Sequence, residues 1–316
     1  MDLRRLGQSD LHIAPIMLGG NVFGWNVDEA ASFPILDAFV DAGFNAIDTA
    51  NSYSRWVPGH TGGESETIIG NWLKKSRKRD KVVIATKVGE DMGQGRGLKK
   101  SDIVREAENS LKRLQTDRID LYQTHFDNPD TAPEETLQAY AQLIAQGKVR
   151  AIGASNIGVA RVRESLATSK QLGIPRYESL QPRYNLHDRA TFEREFEPIC
   201  LKENIGVITY YSLAAGFLTG KYRSQADLAK SAVRGPRIMD FLNARGSHIL
   251  NALDQVAARY TATPAQVSLA WLIARPSVTA PIVSATKLTQ LTEILKAAQL
   301  KLAPADVAAL DKASSY

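Results

Sequence analysis

The feature that most constrains the fold is a regular alternation of short apolar, β-branched runs with amphipathic helical stretches. The alternation recurs at intervals of about 27–37 residues, which is the length of a strand–helix unit. The predicted strands are Ile16–Leu18, Ala46–Asp48, Val82–Thr86, Ile119–Gln123, Ala151–Ala154, Ser179–Gln181, Val207–Tyr210 and Ala280–Val283. Helical patterns lie between them at Glu64–Lys75, Ser101–Leu114, Pro133–Gln146, Val159–Gln171 and Ala190–Lys202. The pattern therefore predicts an α/β chain of repeated units.

Eight such strands favour a closed (β/α)8 TIM barrel over an open sheet. Parallel strands need both faces covered, and closure of the sheet removes its exposed edges. A doubly wound open sheet is the competing arrangement, but no GxGxxG sequence follows the first strand. Because no stretch has the composition of a linker, we expect residues 1–316 to form a single barrel domain.

Three segments depart from the simple repeat. Leu3–Leu6 and Leu11–Ile13 predict a hairpin that precedes the barrel. The first helix is expected to start at Ser32, because Pro34 is tolerated in a first turn but costs about 3 kcal/mol inside a helix. About 70 residues separate the seventh and eighth strands, and a long insertion on a barrel's loop face is often functional. Additional helices are predicted near Ser247–Arg259 and Ala265–Ala274 in this insertion, and near Pro304–Ala313 at the C-terminus.

Composition narrows the classes of function. Apolar residues make up 44% and charged residues 23% of the chain, an ordinary globular balance. The net charge of +5 is scattered, and its longest basic cluster, Lys74–Lys81, is typical of a solvated helix end, with a polyanion site as the alternative. We therefore expect no nucleic-acid partner. No run approaches the roughly 18 apolar residues of a membrane span.

The compartment is predicted from the N-terminus and the cysteine content. The first residues lack the apolar core and cleavage site of a signal peptide. Cys200 is the single cysteine, which rules out an intramolecular disulfide and suits a reducing compartment. We expect a cytoplasmic protein. The oligomeric state stays open, since the apolar helices of a barrel exterior fit a monomer or an oligomer.

Four polar residues stand at or just beyond the ends of three neighbouring predicted strands. Asp48 ends the second strand with Tyr53 shortly after it, Lys87 follows the third, and His125 follows the fourth. Singly, each fits a structural role as a turn, surface or loop residue. Together they fall on the face where barrel enzymes carry out their chemistry. A phenol is a weak acid at neutral pH, and a nearby ammonium is expected to lower its pKa toward a useful range.

These residue types suit proton transfer to a carbonyl oxygen. Tyr53 would supply the proton, Lys87 would stabilise the phenolate, Asp48 would hold the lysine, and His125 would orient the carbonyl. The five histidines do not fall at metal-ligand spacing, so we expect no metal site. No GxSxG sequence supports a serine hydrolase. A lyase or aldolase in which Lys87 forms a Schiff base is an alternative.

The order of these motifs resembles the aldo-keto reductases, from about residue 3 to the C-terminus. The resemblance includes bacterial NADP-dependent oxidoreductases and the related potassium-channel β-subunits. It rests on Lys87, His125 and the strings Leu18-Gly19-Gly20, Asn45–Tyr53, Gly63–Glu66, Ile152–Asn156, Gln181–Asn185 and Leu218–Tyr222. It implies an eight-stranded barrel that reduces small aldehydes or ketones with NADPH, or less often NADH. Tyr53 would be the proton donor, Lys87 and Asp48 would tune it, and His125 would position the carbonyl.

The cofactor would lie across the loop face. Tyr210 can stack on a nicotinamide ring, and the Ala214–Tyr222 loop offers backbone amides and Lys221 for a pyrophosphate. By resemblance, Ser155, Asn156 and Gln181 would hold the carboxamide. The remaining candidates for cofactor binding are Ser212, Leu213, Gly216, Ser284, Lys287, Gln290 and Glu293.

Two departures from the family pattern weaken details of this assignment. The chain has Tyr210-Tyr211-Ser212-Leu213 where relatives often have Tyr-Ser-Pro-Leu, so either tyrosine could stack. The last strand is not followed by Arg or Lys at the usual positions for a 2′-phosphate, which leaves Lys287 as a displaced candidate. NADP(H) is the preferred cofactor and NAD(H) the alternative.

The substrate pocket is predicted from aromatic residues near the four polar ones. Trp25, Trp56 and Phe126 could wall an apolar slot for an aldehyde, or could pack the loops of the barrel rim. A second functional class is a regulatory subunit that keeps the fold and the cofactor but works by binding. Turnover of a carbonyl substrate would distinguish the two classes.

Overall fold

The computed structural model of the protein describes residues 2–93, 95–230 and 235–316. Its centre is a closed barrel of eight parallel strands, namely β3 (Met17–Gly19), β4 (Ala46–Asp48), β5 (Val83–Val88), β6 (Ile119–Thr124), β7 (Val149–Ser155), β8 (Tyr177–Gln181), β9 (Gly206–Thr209) and β10 (Val278–Val283). Around the barrel they follow the order β10-β3-β4-β5-β6-β7-β8-β9. The predicted (β/α)8 TIM barrel is confirmed.

A small antiparallel hairpin closes the amino-terminal end of the barrel. Its strands are β1 (Arg4–Arg5) and β2 (His12–Ile13), as the sequence predicted. Leu6, Leu11 and Ile13 are buried in one apolar cluster with residues of the barrel strands, among them Met17, Ala46, Ala85, Leu121, Ala151 and Ala280. The hairpin therefore fills the bottom of the barrel, and the carboxyl ends of the strands form the open mouth at the other end.

Helices cover the outside of the barrel. Their bounds are α1 (Glu29–Asp41), α2 (Glu64–Ser76), α3 (Lys100–Leu114), α4 (Pro133–Ala145), α5 (Val159–Leu172), α6 (Glu197–Glu203), α7 (Gly235–Ile238), α8 (Ala244–Arg259), α9 (Pro264–Ile273), α10 (Leu288–Leu295) and α11 (Pro304–Ala313). A π-helical turn, Phe192–Phe196, leads into α6, so the predicted helix at Ala190–Lys202 is present with an irregular first half.

The prediction that the first helix starts at Ser32 is wrong. Helix α1 begins at Glu29, because the Asp28 carboxylate accepts a hydrogen bond from the Ala31 N–H and caps the helix. Pro34 therefore lies in the second turn, where it removes one backbone hydrogen bond. Its ring is exposed, while the opposite face of α1 is buried. That burial and the cap outweigh the cost of the proline.

The long insertion lies between β9 and β10. It contains α7, α8, α9 and a 3₁₀ stretch, Ala214–Thr219, in which Ala215 and Gly216 have left-handed backbone angles. Helices α8 and α9 match the predicted ones to within a few residues, and α11 has the predicted bounds. Among the described residues, no helix is both long and apolar enough to cross a bilayer.

Candidate active site

The period of two along a strand explains why three of the predicted polar residues meet inside the barrel mouth. Ala46, Ala85 and Leu121 point into the barrel interior. Asp48 and Lys87 lie two residues beyond Ala46 and Ala85, and His125 lies four beyond Leu121, so all three keep the inward direction. The strands β4, β5 and β6 are hydrogen-bonded neighbours, which brings the side chains together at one edge.

The Lys87 ammonium group is the centre of the site. Its side chain is fully buried, and its Nζ donates to Asp48 Oδ2 at 2.7 Å, to the Thr49 carbonyl oxygen at 2.8 Å and to the Tyr53 hydroxyl at 2.8 Å. An ammonium group has three donors, so each of them has an acceptor. The geometry fixes the position of Lys87 against the phenol.

Tyr53 reaches the same point from the loop after β4. Its backbone N–H donates to the Ala50 carbonyl oxygen, which curls the loop back over the barrel mouth. The Tyr53 hydroxyl donates to Asp48 Oδ2 at 3.1 Å, and Lys87 Nζ lies 4.6 Å from the centre of the phenol ring. Asp48 also accepts a hydrogen bond on Oδ1 from the Gln181 side chain at 2.9 Å. One carboxylate therefore orients the lysine, the phenol and the amide.

The electrostatics of this arrangement differ from the sequence-based expectation. Burial, followed by the negative charge of Asp48, raises the pKa of the Tyr53 phenol well above its usual value. The phenol pKa therefore lies above its usual value, and the prediction that it lies below is wrong. Burial also lowers the pKa of the Lys87 ammonium, and the Asp48 charge opposes that change. Tyr53 holds its proton firmly at neutral pH.

His125 stands beside the phenol at the end of β6. Its backbone N–H donates to the Val88 carbonyl oxygen at 2.7 Å, and its own carbonyl oxygen accepts from Asn156 Nδ2 at 2.9 Å. The imidazole lies edge-on to the Tyr53 ring, with the ring centres 5.9 Å apart. Burial and then the positive charge of Lys87 lower the pKa of His125 well below its usual value.

Two residues that the sequence reasoning missed contact the same imidazole. His125 Nδ1 lies 3.2 Å from the Glu90 carboxylate and 3.5 Å from the Ser52 hydroxyl. The Ser52 hydroxyl also donates to that carboxylate. An acidic residue three positions after Lys87 was the available signal, but its direction depends on the loop after β5, which the strand pattern does not define.

The residues predicted to hold a carboxamide gather at the ends of β7 and β8. The Ser155 hydroxyl donates to the Gln181 carbonyl oxygen at 2.8 Å, and Asn156 follows with a left-handed backbone. Tyr210 donates its hydroxyl to Asn156 Oδ1 at 2.9 Å, so its ring lies beside this group. These residues line a cavity of about 540 Å³. Tyr211 instead packs against the Arg183 guanidinium, 5.0 Å from its ring centre.

The Gly-rich stretch after β9 places the next group of predicted residues. Ser212 is buried and bonds back to Thr209, and the Leu213 carbonyl oxygen accepts from the Gly216 N–H at 2.8 Å. Gly216 has φ of 98°, which favours glycine at this turn. Lys221 is exposed just beyond it, with Nζ 5.0 Å from the Tyr222 ring centre.

The residues after β10 are brought to the start of α10. Ser284 donates to Asn21 Oδ1 at 2.6 Å. Lys287 is exposed at the N-cap of α10. Gln290 accepts from the Thr286 N–H and hydroxyl, both at 3.0 Å, and Glu293 accepts from the Thr263 hydroxyl at 2.9 Å. Gln290 and Glu293 thus already make contacts within the protein.

Aromatic side chains form a rim around Tyr53. The Trp25 and Trp56 rings meet edge-on with centres 5.4 Å apart, and Trp56 lies 6.1 Å from the Tyr53 ring centre. Trp56 is 48% exposed, which is unusual for so large an apolar side chain. Phe126 packs beside His125 with ring centres 4.8 Å apart. The predicted aromatic residues therefore flank the polar site on two sides.

A parallel barrel with a buried lysine, a carboxylate, a phenol and an imidazole at the carboxyl ends of its strands is the architecture of a barrel enzyme. Comparison with known proteins narrows that class. A model of the Aldo/keto reductase family matches residues 15–315. The protein therefore belongs to the aldo/keto reductase family, oxidoreductases that act on carbonyl groups and generally use NAD(P)H.

Individual relatives support this membership along the whole chain. Aldo-keto reductase YhdN of Bacillus subtilis is 35% identical over 289 residues, covering 87% of this chain and 80% of the relative. Protein tas of Escherichia coli is 32% identical, covering 100% of this chain and 99% of the relative. A probable voltage-gated potassium channel subunit beta of Oryza sativa subsp. japonica is 30% identical, covering 94% of this chain and 91% of the relative. The resemblance drawn from the motifs is confirmed.

Proposed function

We propose that this protein reduces aldehydes or ketones to alcohols with NADPH, reversibly and within a single barrel domain of residues 1–316. The observation that carries the proposal is the Lys87 ammonium, which contacts both Asp48 and the Tyr53 hydroxyl at the barrel mouth. A small-molecule carbonyl compound would be the substrate. We place the protein in the cytoplasm, because its single cysteine, Cys200, is a buried free thiol that suits a reducing compartment.

The proton would come from Tyr53. Its hydroxyl donates to Asp48 in the resting arrangement, and rotation about the C–O bond would turn the hydrogen toward a carbonyl oxygen beside it. Lys87 stays on the phenol oxygen throughout, so its positive charge stabilises the phenolate that forms. Because burial and Asp48 raise the phenol pKa, Tyr53 remains protonated until the substrate oxygen becomes basic. His125 would orient that oxygen.

The nicotinamide end of the cofactor fits the residues at the ends of β7, β8 and β9. When bound, NADPH supplies the hydride that reduces the carbonyl carbon. The Tyr210 ring offers a flat stacking partner, and Ser155, Asn156 and Gln181 offer amide and hydroxyl groups to a carboxamide. We assign the stacking role to Tyr210, because Tyr211 is engaged with Arg183.

The phosphate end would lie along the Gly-rich stretch and the start of α10. We propose that Lys221 binds the pyrophosphate together with the backbone amides of Ser212 and Leu213, and that Gly216, without a side chain, lets the cofactor approach the chain closely. On the other side, Ser284, Lys287, Gln290 and Glu293 would bind the adenosine moiety. Lys287 is the cation that favours NADPH over NADH, because a 2′-phosphate adds negative charge at that end.

The aromatic rim would select the substrate. Trp25, Trp56 and Phe126 surround Tyr53 and His125 and offer apolar surface to the substituent of a carbonyl compound. A Schiff base on Lys87 is disfavoured, since the buried Nζ already donates to three acceptors and a lone pair is needed for attack.

The proposal is tested by titrating the protein with NADPH and NADH separately while its fluorescence is recorded. A panel of aldehydes and ketones is then added to the saturated protein. We expect the lower Kd for NADPH and oxidation of NADPH with at least one carbonyl compound. Tight nucleotide binding without turnover on the whole panel would instead support a regulatory subunit, which is the role that the name of the rice relative suggests for that protein.

Lys221→Ala is expected to raise the Kd for NADPH about tenfold, roughly 1.4 kcal/mol, because one charge-assisted phosphate contact is lost. The rate of the chemical step at saturating NADPH should change little. Lys202→Ala is the matched control, since Lys202 is an exposed lysine on α6. Equal Kd values for Lys221→Ala and the unmodified protein would remove Lys221 from the phosphate site.

A further inference from the structure

Glu90 is an acidic residue at the barrel mouth that the proposed reduction does not yet use. It lies in the loop two residues after the end of β5. Its carboxylate is 3.2 Å from His125 Nδ1, and it accepts a hydrogen bond from the Ser52 hydroxyl. The Ser52 hydroxyl is itself 3.5 Å from the same nitrogen. Glu90 is thus held against one edge of the imidazole.

We propose that Glu90 is a positioning residue that keeps a proton on His125 Nδ1 and favours the doubly protonated imidazole. The proposal rests on the carbonyl reduction proposed above. With Nδ1 directed at Glu90, Nε2 on the other side of the ring is the nitrogen left for a substrate. A proton on Nε2 could then be donated to the carbonyl oxygen.

The hydrogen-bonding capacity of the groups carries this inference. An ionised carboxylate only accepts hydrogen bonds, so its contact with Nδ1 requires a proton on that nitrogen. A neutral imidazole has one N–H, and Nε2 would then present a lone pair to the carbonyl oxygen. Two acceptors facing each other repel. Donation from Nε2 therefore needs a second proton on the ring, and a carboxylate partner stabilises that charged form.

The charged groups around the His125 ring have opposite effects on its protonation. Burial disfavours a positive imidazole, as does the positive charge of Lys87. Glu90 is the carboxylate in contact with the ring, and Tyr53 faces it through its aromatic edge. Asp48 accepts hydrogen bonds from Lys87, Tyr53 and Gln181. Removing the Glu90 charge should therefore leave Lys87 and burial unopposed, and the titration midpoint of His125 should fall.

The sign of the pH effect follows from this. If reduction uses the doubly protonated ring, turnover is present below the titration midpoint of His125 and lost as the pH rises through it. Loss of the carboxylate moves this alkaline limit to lower pH. An opposite charge in contact typically changes a pKa by about 1–3 pH units. Because Glu90 is partly exposed, we expect the titration midpoint of His125 to fall by about one pH unit when the charge is removed.

The test is Glu90→Gln, which keeps the size of the side chain and removes its charge. Long-range ¹H–¹⁵N spectra of the histidine rings, with His125 assigned by a His125→Asn variant, report the protonation of Nδ1 and Nε2 at each pH. We expect a protonated Nδ1 in the unmodified protein and a midpoint about one pH unit lower in Glu90→Gln. Glu90→Asp should recover part of the shift. Glu108→Gln is the matched control, because it removes a carboxylate on α3 that is paired with Lys148.

Kinetics of the same variants provide the second measurement. We expect the alkaline limit of kcat in Glu90→Gln to move by the same amount as the His125 midpoint, while the Kd for NADPH is unchanged. An identical His125 titration in Glu90→Gln and the unmodified protein would overturn the proposal whatever the rates. A shifted titration in a protein that reduces no carbonyl compound would overturn the proposed function and the part that Glu90 plays in it, and would leave only the effect of Glu90 on the protonation of His125.

Discussion

Replacing Tyr53 by phenylalanine is expected to lower kcat for carbonyl reduction by about 10²–10⁴-fold, the range that general acid catalysis contributes. The change removes one hydroxyl, which contacts Lys87 and Asp48, and keeps the ring that packs against Trp56 and His125. The Kd for NADPH should be nearly unchanged, because the cofactor contacts are assigned to other strands. Steady-state rates and fluorescence titration of the purified variant measure both quantities.

Tyr260→Phe provides the matched control for this substitution. The Tyr260 hydroxyl donates to Asp306 on α11, outside the barrel, and its removal should leave kcat unchanged. A Tyr53→Phe protein that turns over at the rate of the unmodified protein would show that the proton comes from another group. A large rise in the Kd for NADPH would show instead that Tyr53 contributes to cofactor binding.

Replacing Lys87 by methionine is expected to abolish turnover and to lower the free energy of unfolding by about 3–5 kcal/mol. Asp48 is only 2% exposed, so loss of its cation leaves a buried negative charge without an ionic partner. The remaining hydrogen bonds from Tyr53 and Gln181 favour the lower end of that range. Urea denaturation followed by circular dichroism measures the change. Lys202→Met, on the exposed side of α6, should have little effect.

The double variant Lys87→Met/Asp48→Asn separates stability from catalysis. Removal of the unpaired carboxylate should restore part of the lost free energy of unfolding, because a neutral amide costs less to bury than a charge. Turnover should stay absent, since the cation beside the phenol is still missing. A double variant less stable than Lys87→Met alone would contradict the view that the pair is coupled in this way.

The barrel could be predicted from the sequence because its signal is local and repeated. Each strand is a short buried run, and parallel strands with intervening helices leave few alternatives once closure is considered. Asp48, Lys87 and His125 could be placed together for a related reason. Their strands are neighbours, and the period of two along each strand gives all three the same inward direction.

Other features depend on interactions that the pattern does not contain. The predicted start of α1 was wrong because the Asp28 cap and a buried helix face outweigh the local cost of Pro34. The predicted direction of the Tyr53 pKa was wrong because burial and the charge of Asp48 raise it, and burial of a loop residue cannot be read from spacing. The contacts of Gln181 with Asp48 and of Glu90 with His125 depend on side-chain conformation.

The most direct test of the central claim uses NADPH in which both hydrogens on C4 of the nicotinamide are replaced by deuterium. The labelled cofactor is bound to the protein and mixed with an aldehyde from the panel in a single turnover, and the product is examined by mass spectrometry. We predict an alcohol with one deuterium on the former carbonyl carbon, formed by the unmodified protein and far more slowly by Tyr53→Phe. Alcohol without deuterium, or the same rate in both proteins, would contradict hydride transfer assisted by the Tyr53 proton.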